Sequence, residues 1–458
     1  MSLIQKREAK LMIRCTSLGL FVVLLLAVPA RLHSSGVFPF PYKIEVLDNG
    51  LTVVSIPLNN PHIISYYTVV RSGSRNEIEP GKSGFAHFFE HMMFKGTKQV
   101  PRAAYDEFLT GLGAGTNGFT SDDYTCYFVV FAGRANLEKV VKTEADRFIN
   151  LYYDEEMIKT EAPVIEGEYY ASVSNPDRRL SELLRNTAYE NHSYKHTVLG
   201  YLKDIQDMPN QFEYSQLYKK RFYAPDNSIL LVVGDFDHGQ LMSLVKKYYG
   251  GWEKSNYILQ TPLEPPQTKA KRAHYEWPTN TLARIVIAFH GPAYSDEVID
   301  KAALNLLAAT SFSPSSALFQ RLVNEEQKCQ SLGASFNDTR DPSLLVLNAV
   351  VKKDEDLPYV EAEILKELER IKNEPAPADV LADIKSNIKY SMADALGTTD
   401  GVAGTLAFFV NLTGDPGTLN KLFDLYEKIT AKDIQETAKK YFTTDNSTVV
   451  TLTGGKAK

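Results

Sequence analysis

The 458-residue sequence has three cysteines, too few for a disulfide scaffold or a cysteine-built zinc ribbon. It has no excess of base. Lys and Arg total 50 against 56 Asp and Glu, a net charge of −6, and no Lys/Arg-rich run occurs. A phosphate-binding surface needs a basic excess or a basic patch, so no nucleic-acid partner is expected. It also lacks a comfortable membrane span, which takes about 20 apolar residues. The N-terminal run Leu18 to Val28, interrupted by Gly19, is shorter. What remains is ordinary globular composition, 44% apolar and 23% charged. That is too apolar for a disordered chain, and the length calls for two domains or more.

The N-terminus reads as an address. Lys6, Arg7, Lys10 and Arg14 precede the apolar run, and Val28-Pro29-Ala30 follows as a small-x-Ala cleavage site. A basic flank, a short apolar core and a small-residue exit describe a secretory signal peptide over residues 1–30. The expected location is periplasmic or secreted, without a membrane span once the signal is removed. An uncleaved N-terminal anchor is the alternative. Removal takes Cys15 and leaves Cys126 and Cys329, in different halves of the chain. Two separate buried thiols are expected there, with a disulfide as the alternative in an oxidising compartment.

The chain contains a repeat. KRFYAPDNSI, residues 220–229, runs into LLVVGD, and KKYFTTDNST, residues 439–448, runs into VVTLTG, at an offset of 219. Each reads as a helix end, an Asp-Asn turn and a buried strand. The strands Tyr66–Val70 and Arg284–Phe289 open the two halves alike. The expected fold is α+β, two homologous domains forming a clam-shell, each a mostly antiparallel sheet with helices on one face. The N-terminal domain spans 37–262 and the C-terminal domain 273–458. Residues 263–272 join them, within the Pro- and Lys-rich TPLEPPQTKAKR. Trp252 and Trp277 read as packing residues.

The sharpest signal is His87-Phe88-Phe89-Glu90-His91, inside GKSGFAHFFEHMMFKGT. Residues four apart share a helix face, so His87 and His91 offer two imidazoles to one point, as zinc requires. Glu90 projects beside them, placed to hold a proton rather than to ligate. The motif reverses the common H-E-x-x-H zinc helix. Ser83 is expected to cap this helix and Gly96 to end it. An apolar, Phe- and Met-rich helix is a costly place for two histidines and a glutamate without partners.

Two histidines leave a metal short of a third protein ligand. Glu161 and Glu168, seven apart in EEMIKTEAPVIEGEYY, fall on one helix face. Glu168 is the expected ligand, with Glu161 behind it orienting a histidine or a water. Glu166 stays open as an alternative if Pro163 and Gly167 kink the helix. The segment Gly111–Phe131 is the expected substrate edge. Its glycines keep a turn slim, and Thr120 to Phe131 reads as strand, to which a peptide adds through backbone hydrogen bonds. His192 and His196, though four apart, are not assigned to a metal, and His274 and His290 have no partner at metal spacing.

Here the chain resembles the pitrilysin and mitochondrial-processing-peptidase family of zinc metallopeptidases, in its bacterial periplasmic form. The likeness rests on Leu47-Asp48-Asn49-Gly50, Gly73-Ser74, the helix from His87 through Gly96-Thr97, and Asn117-Gly118-Phe119-Thr120-Ser121. It continues at Tyr223-Ala224-Pro225-Asp226-Asn227 and Val233-Gly234-Asp235. The resemblance implies one zinc per chain on His87, His91 and Glu168, with Glu90 as general base and Glu161 as the family's second Glu behind the ligands. It implies that Asn117, Gly118, Phe119 and Thr120 bind substrate as an edge strand. The activity implied is endopeptidase cleavage of peptides or unfolded protein segments. The second reading, a non-catalytic assembly subunit like the core proteins of respiratory complexes, is disfavoured by the intact motif.

The sequence departs from the family in its second half, which lacks H-x-x-E-H. Where active members carry an Arg and a Tyr seven apart, this chain has Val323 and Gln330, and Arg321 falls two residues early. A homologous partner subunit supplying that pair is therefore expected, with a homodimer or a slow monomer as alternatives.

Overall fold

The computed structural model describes residues 36–59 and 62–455, so the segment read as a signal peptide lies outside the described residues. Among the described residues no helix is long and apolar enough to cross a membrane. The first sheet contains β1 (Lys43–Val46), β2 (Thr52–Pro57), β3 (Ile63–Val70), β4 (Gly115–Thr120), β5 (Thr125–Ala132) and β6 (Ser228–Gly234). Its order is β1-β2-β6-β3-β5-β4. The second contains β7 (Lys271–Trp277), β8 (Ala283–His290), β9 (Cys329–Phe336), β10 (Leu344–Val351) and β11 (Ser447–Gly454), in the order β7-β11-β8-β10-β9.

The two orders are one topology used twice. Apart from β1, an added edge strand of the first sheet, the last strand of each is inserted parallel to the first and antiparallel to the second, as β6 lies between β2 and β3 and β11 between β7 and β8. The sequence repeat is the entry to these inserted strands. Asn227 Nδ2 donates to the carbonyl of Phe222 at 2.9 Å, and Asn446 Nδ2 to that of Tyr441 at 2.8 Å, the same turn 219 residues apart. The expected α+β clam-shell of two similar halves is present. Residues 253–268 carry no helix or strand.

Helices of the same half cover one face of each sheet. The other face is covered from the opposite half, which the sequence did not suggest. The Thr399–Thr413 helix of the second half packs on β3 and β6. There Leu406 and Val410 join one cluster with Tyr67, Val69 and Leu231 of the first sheet. Reciprocally, the Pro176–Ala188 helix packs on β7, β8 and β11, with Leu180 and Leu184 against Ala288, Val450 and Leu452. A sheet buried on both faces reads as a continuous apolar run, and β6, SILLVVG, is buried throughout. Cys126 and Cys329 are both free and buried.

The helix that carries the histidines spans Phe85–Met93, its buried face formed by Phe85, Phe88, Phe89, Met92 and Met93. Its N-terminus departs from expectation. Ser83 does not cap it; the Ser83 hydroxyl donates to Asp204 at 2.5 Å instead. The cap residue is Gly84, and the first backbone N–H groups donate to the carboxylate of Glu77, Gly84 N at 2.7 Å and Ala86 N at 2.6 Å. A carboxylate there also meets the positive end of the helix dipole. The helix ends at Met93, before Gly96.

One chain crossing holds this N-terminus close. Gly200 has φ +81°, and a Cβ on it would lie 2.5 Å from the Ser83 carbonyl carbon and 2.6 Å from Gly84 N. Gly414 has φ +82° with nothing within 4 Å of such an atom. The left-handed backbone alone costs an alanine about 1–2 kcal/mol. Gly414→Ala is therefore expected to lower the unfolding free energy by about that amount, and Gly200→Ala by clearly more, read from urea unfolding curves.

Candidate metal centre

Two helices build the centre. The Phe85–Met93 helix presents His87 and His91 with ring centroids 4.8 Å apart. The Glu155–Val173 helix runs through Pro163 without a break and begins on Asp154, whose side chain accepts from Met157 N. Its buried residues Ile158, Ala162 and Ile165 face the core, which leaves Glu161 and Glu168 turned together towards the histidines. Glu168 Oε2 lies 3.5 Å from His87 Nε2 and 3.6 Å from His91 Nε2. One ligand atom from each of the three residues falls within 4.8 Å of the others.

These separations test whether a metal fits. They are longer than a good hydrogen bond. Two ligand atoms each about 2.0–2.1 Å from one tetrahedral zinc stand about 3.4 Å apart, close to what is seen. The donor set of two imidazole nitrogens and a carboxylate oxygen is also one that zinc takes. Glu168 is 44% exposed, so the cluster opens to solvent on one side.

Glu161 fixes the geometry from behind. Its Oε1 lies 2.8 Å from His91 Nδ1, and its Oε2 accepts from Lys95. With the Nδ1 proton committed, the lone pair of His91 sits on Nε2, facing the cluster. The hydrogen bond with His91, helped by the Lys95 ammonium, outweighs burial and holds the Glu161 carboxyl at about 2. Burial and the neighbouring His91 push His87 down to about 4, so it is neutral near pH 7. His87 Nδ1 is buried without a hydrogen-bond partner. Burial works against the charge on His91 too, but Glu161 and Glu168 overcome it and raise its pKa above 6.5.

Glu90 stands beside the cluster with its Oε2 accepting from the Thr120 hydroxyl at 2.6 Å. Burial raises its pKa above the usual value, against the lowering effect of Thr120 and His91. Thr120 is the last residue of β4, the edge strand of the first sheet. The sequence read Gly111–Gly118 as a slim turn and Thr120–Phe131 as strand. Instead, 115–120 is itself a strand, 121–124 is the turn, and β5 begins at Thr125. Asn117, Gly118, Phe119 and Thr120 therefore share one open edge. Asn117 Oδ1 accepts from Gly118 N at 2.9 Å, and Phe119 meets Tyr124 edge to face at 5.6 Å.

Glu166 is not part of the group. It accepts from Gln206 Nε2 at 2.8 Å and from the Tyr170 hydroxyl at 3.3 Å. His192 and His196 are apart from it as well, His192 Nε2 lying 3.0 Å from Asp341 and His196 Nδ1 3.0 Å from the Thr197 carbonyl. Sequence reasoning missed Lys95 and the hydroxyl of Thr120. Lys95 stands four residues after His91, a spacing that carried the signal. A cavity of about 290 Å³ lies between the Pro176–Ala188 helix and the second sheet, and none of the site residues lines it.

The second half brings no group to the cluster among the described residues. Arg321 pairs with Glu363 and lies 3.4 Å from Glu326, Val323 packs against the core, and Gln330 is exposed on β9.

Known proteins are similar to this chain along most of its length. Residues 52–201 match the family Insulinase (Peptidase family M16), and residues 213–388 match the Peptidase M16 inactive domain. The second match begins ahead of β6, a strand of the first sheet. A Helicobacter pylori protein named zinc protease PqqE is 29% identical over 448 residues, covering 95% of this chain and 98% of that one. An Arabidopsis thaliana protein named probable mitochondrial-processing peptidase subunit beta is 24% identical, covering 87% of this chain and 76% of that one. The crystal structure of a protease from Helicobacter pylori superposes with a TM-score of 0.84 at 28% identity, covering 90% of this chain and 99% of that one. With both halves matched and the topology repeated, this chain belongs to peptidase family M16, the pitrilysin-like peptidases.

Proposed function

We propose that the protein is a zinc-dependent endopeptidase acting on peptides or unfolded protein segments. The observation that carries this reading is the meeting of His87, His91 and Glu168 ligand atoms within 4.8 Å, with Glu90 alongside. Membership of a peptidase family and relatives named zinc proteases support it. His87, His91 and Glu168 would hold one zinc per chain, and three protein ligands leave a position open, as catalytic sites do. When bound, zinc supplies Lewis acidity, polarising the peptide carbonyl and making a water more acidic.

The chain's own residues do the rest. Glu90 takes the proton of the attacking water and returns it to the leaving amine, a task suited to a carboxyl whose pKa burial has raised. Thr120 holds one Glu90 oxygen and leaves the other for the proton. Glu161 keeps the His91 lone pair aimed at the metal. Asn117–Thr120 would receive the peptide as an added strand on the open edge of β4, read through its backbone. The zinc-bearing domain is assigned to 37–262 and its counterpart to 273–458, with 263–272 as the join.

A partner completes the proposal. Val323, Arg321 and Gln330 offer no Arg/Tyr pair at the cluster, so a homologous subunit would supply those donors. The N-terminal pattern supports a periplasmic or secreted location.

Three outcomes test this reading. Glu90→Gln is expected to keep one zinc per chain by metal analysis and to lose cleavage of an unfolded peptide, whereas Glu168→Ala is expected to lose the zinc itself. Cleavage by the Glu90→Gln protein would remove its role. Turnover by the chain alone is expected to be roughly a hundredfold below that with its partner, the scale of losing one oxyanion donor. Full activity alone refutes the partner. In the metal-free protein, NMR titration is expected to show His87 taking its proton near pH 4 and His91 above 6.5.

A further inference from the structure

The seam between the two halves carries a second concentration of charge. Four arginines meet there: Arg71, which follows β3; Arg75; Arg185 of the Pro176–Ala188 helix; and Arg340, in the turn between β9 and β10. Three carboxylates stand among them. Asp122 takes Arg185 at 2.9 and 2.8 Å and the Ser74 hydroxyl at 2.9 Å. Asp341 takes Arg75 at 2.5 and 3.1 Å and lies 3.0 Å from His192 Nε2. Asp123 accepts from the Tyr194 hydroxyl at 2.5 Å and from the backbone N–H of Arg340 at 2.8 Å.

Every one of these carboxylates is engaged, yet two guanidinium groups are not. Among the described residues the side chains of Arg71 and Arg340 make no hydrogen bond and no ion pair, and Arg71 Nε is buried without a partner. Buried donors are satisfied in nearly all folded proteins, by protein, water or ligand. The surplus is electrostatic as well. Arg71 and Arg340 together outnumber Asp123, the one carboxylate near them that no other cation neutralises, so one positive charge is left over. Burial, with the charges of Arg340 and Arg75, pushes the Arg71 guanidinium down to about 10.

The place connects this surplus to the cleavage site. Arg71 extends β3 by one residue, and Val70 before it pairs with Thr125, which pairs with Thr120. Thr120 holds Glu90. Two strand spacings, about 10 Å, thus separate the row of Arg71 from the edge strand. One guanidinium comes from each half, and a planar fork of donors suits a carboxylate.

We propose that Arg71 and Arg340 together hold a carboxylate of the bound peptide, an acidic side chain or a free C-terminus, and so select substrate by charge at one position. This gives the second half a part in substrate recognition although it has no metal motif. The proposal rests on the peptidase reading, and the experiment separates the two. Full-length Glu90→Gln protein is titrated, by fluorescence anisotropy, with labelled peptides of one sequence carrying Glu or Gln at each successive position, the C-terminus free or amidated. One Glu position, or the free C-terminus, is expected to bind about tenfold tighter than its neutral counterpart. That preference is expected to fall to within about twofold when Arg340→Gln or Arg71→Gln is added. Arg340→Gln removes no hydrogen bond or ion pair of the fold, so it decides the matter if Arg71→Gln fails to fold. Equal binding of acidic and neutral peptides, or a preference that survives both substitutions, overturns the proposal. Cleavage of peptides by the unsubstituted protein with no such preference in binding overturns this proposal alone. A preference in binding without any cleavage, with or without a partner, overturns the peptidase reading alone.

Discussion

The centre depends on the contact between Glu161 and His91. Two imidazoles one helical turn apart can come from a single helix, but the third ligand must be carried in on another, 77 residues further along. The 2.8 Å approach of the Glu161 carboxylate to His91 Nδ1 sets the rotation of the second helix against the first. Glu168, seven residues on and therefore on the same face, then arrives opposite both Nε2 atoms. The hydrogen bond with His91, together with Lys95 on the other Glu161 oxygen, keeps the acid charged despite its burial. Pro163 lies between the two glutamates and removes a backbone donor. The helix runs through it because Ile158, Ala162 and Ile165 are packed into the core on both sides.

The same logic of one element held by another governs the whole molecule. Each half lends a helix to the far face of the other's sheet, so neither sheet is fully covered by its own half. This explains why β6 reads as an unbroken apolar run rather than as alternation. It also brings the hairpin turn after β4 against the turn after β9, where Asp123 accepts from the backbone of Arg340. Those turns carry the charged seam, and the edge strand that ends in Thr120 leads into it. The repeat thus has His87, His91 and Glu168 clustered in one half, while the interlock brings turns of both halves together at the seam.

Much of the centre was legible before any coordinates. The i, i+4 histidines, the adjacent glutamate and the pair of glutamates seven apart obey helix geometry alone, and helix geometry is local. The Asp-Asn turns 219 residues apart were legible for the same reason, since each is a short motif closed by its own hydrogen bonds. The N-cap was misread. Ser83 has the right chemistry for a cap, but Asp204 draws its hydroxyl away and Glu77 occupies the place. The stretch Gly111–Gly118 reads as a turn because its glycines mask any alternation, and only pairing with β5 shows that a strand begins at Gly115.

The sequence by itself determined the types of the candidate ligands, their spacing on each helix and the twofold repeat, because those follow from residue chemistry and the fixed periods of helix and strand. It could not determine which face of each helix meets the other, which half covers which sheet, or which charges at the seam are left without partners. Those are sums over contacts between residues hundreds of positions apart, and only the packed chain resolves them.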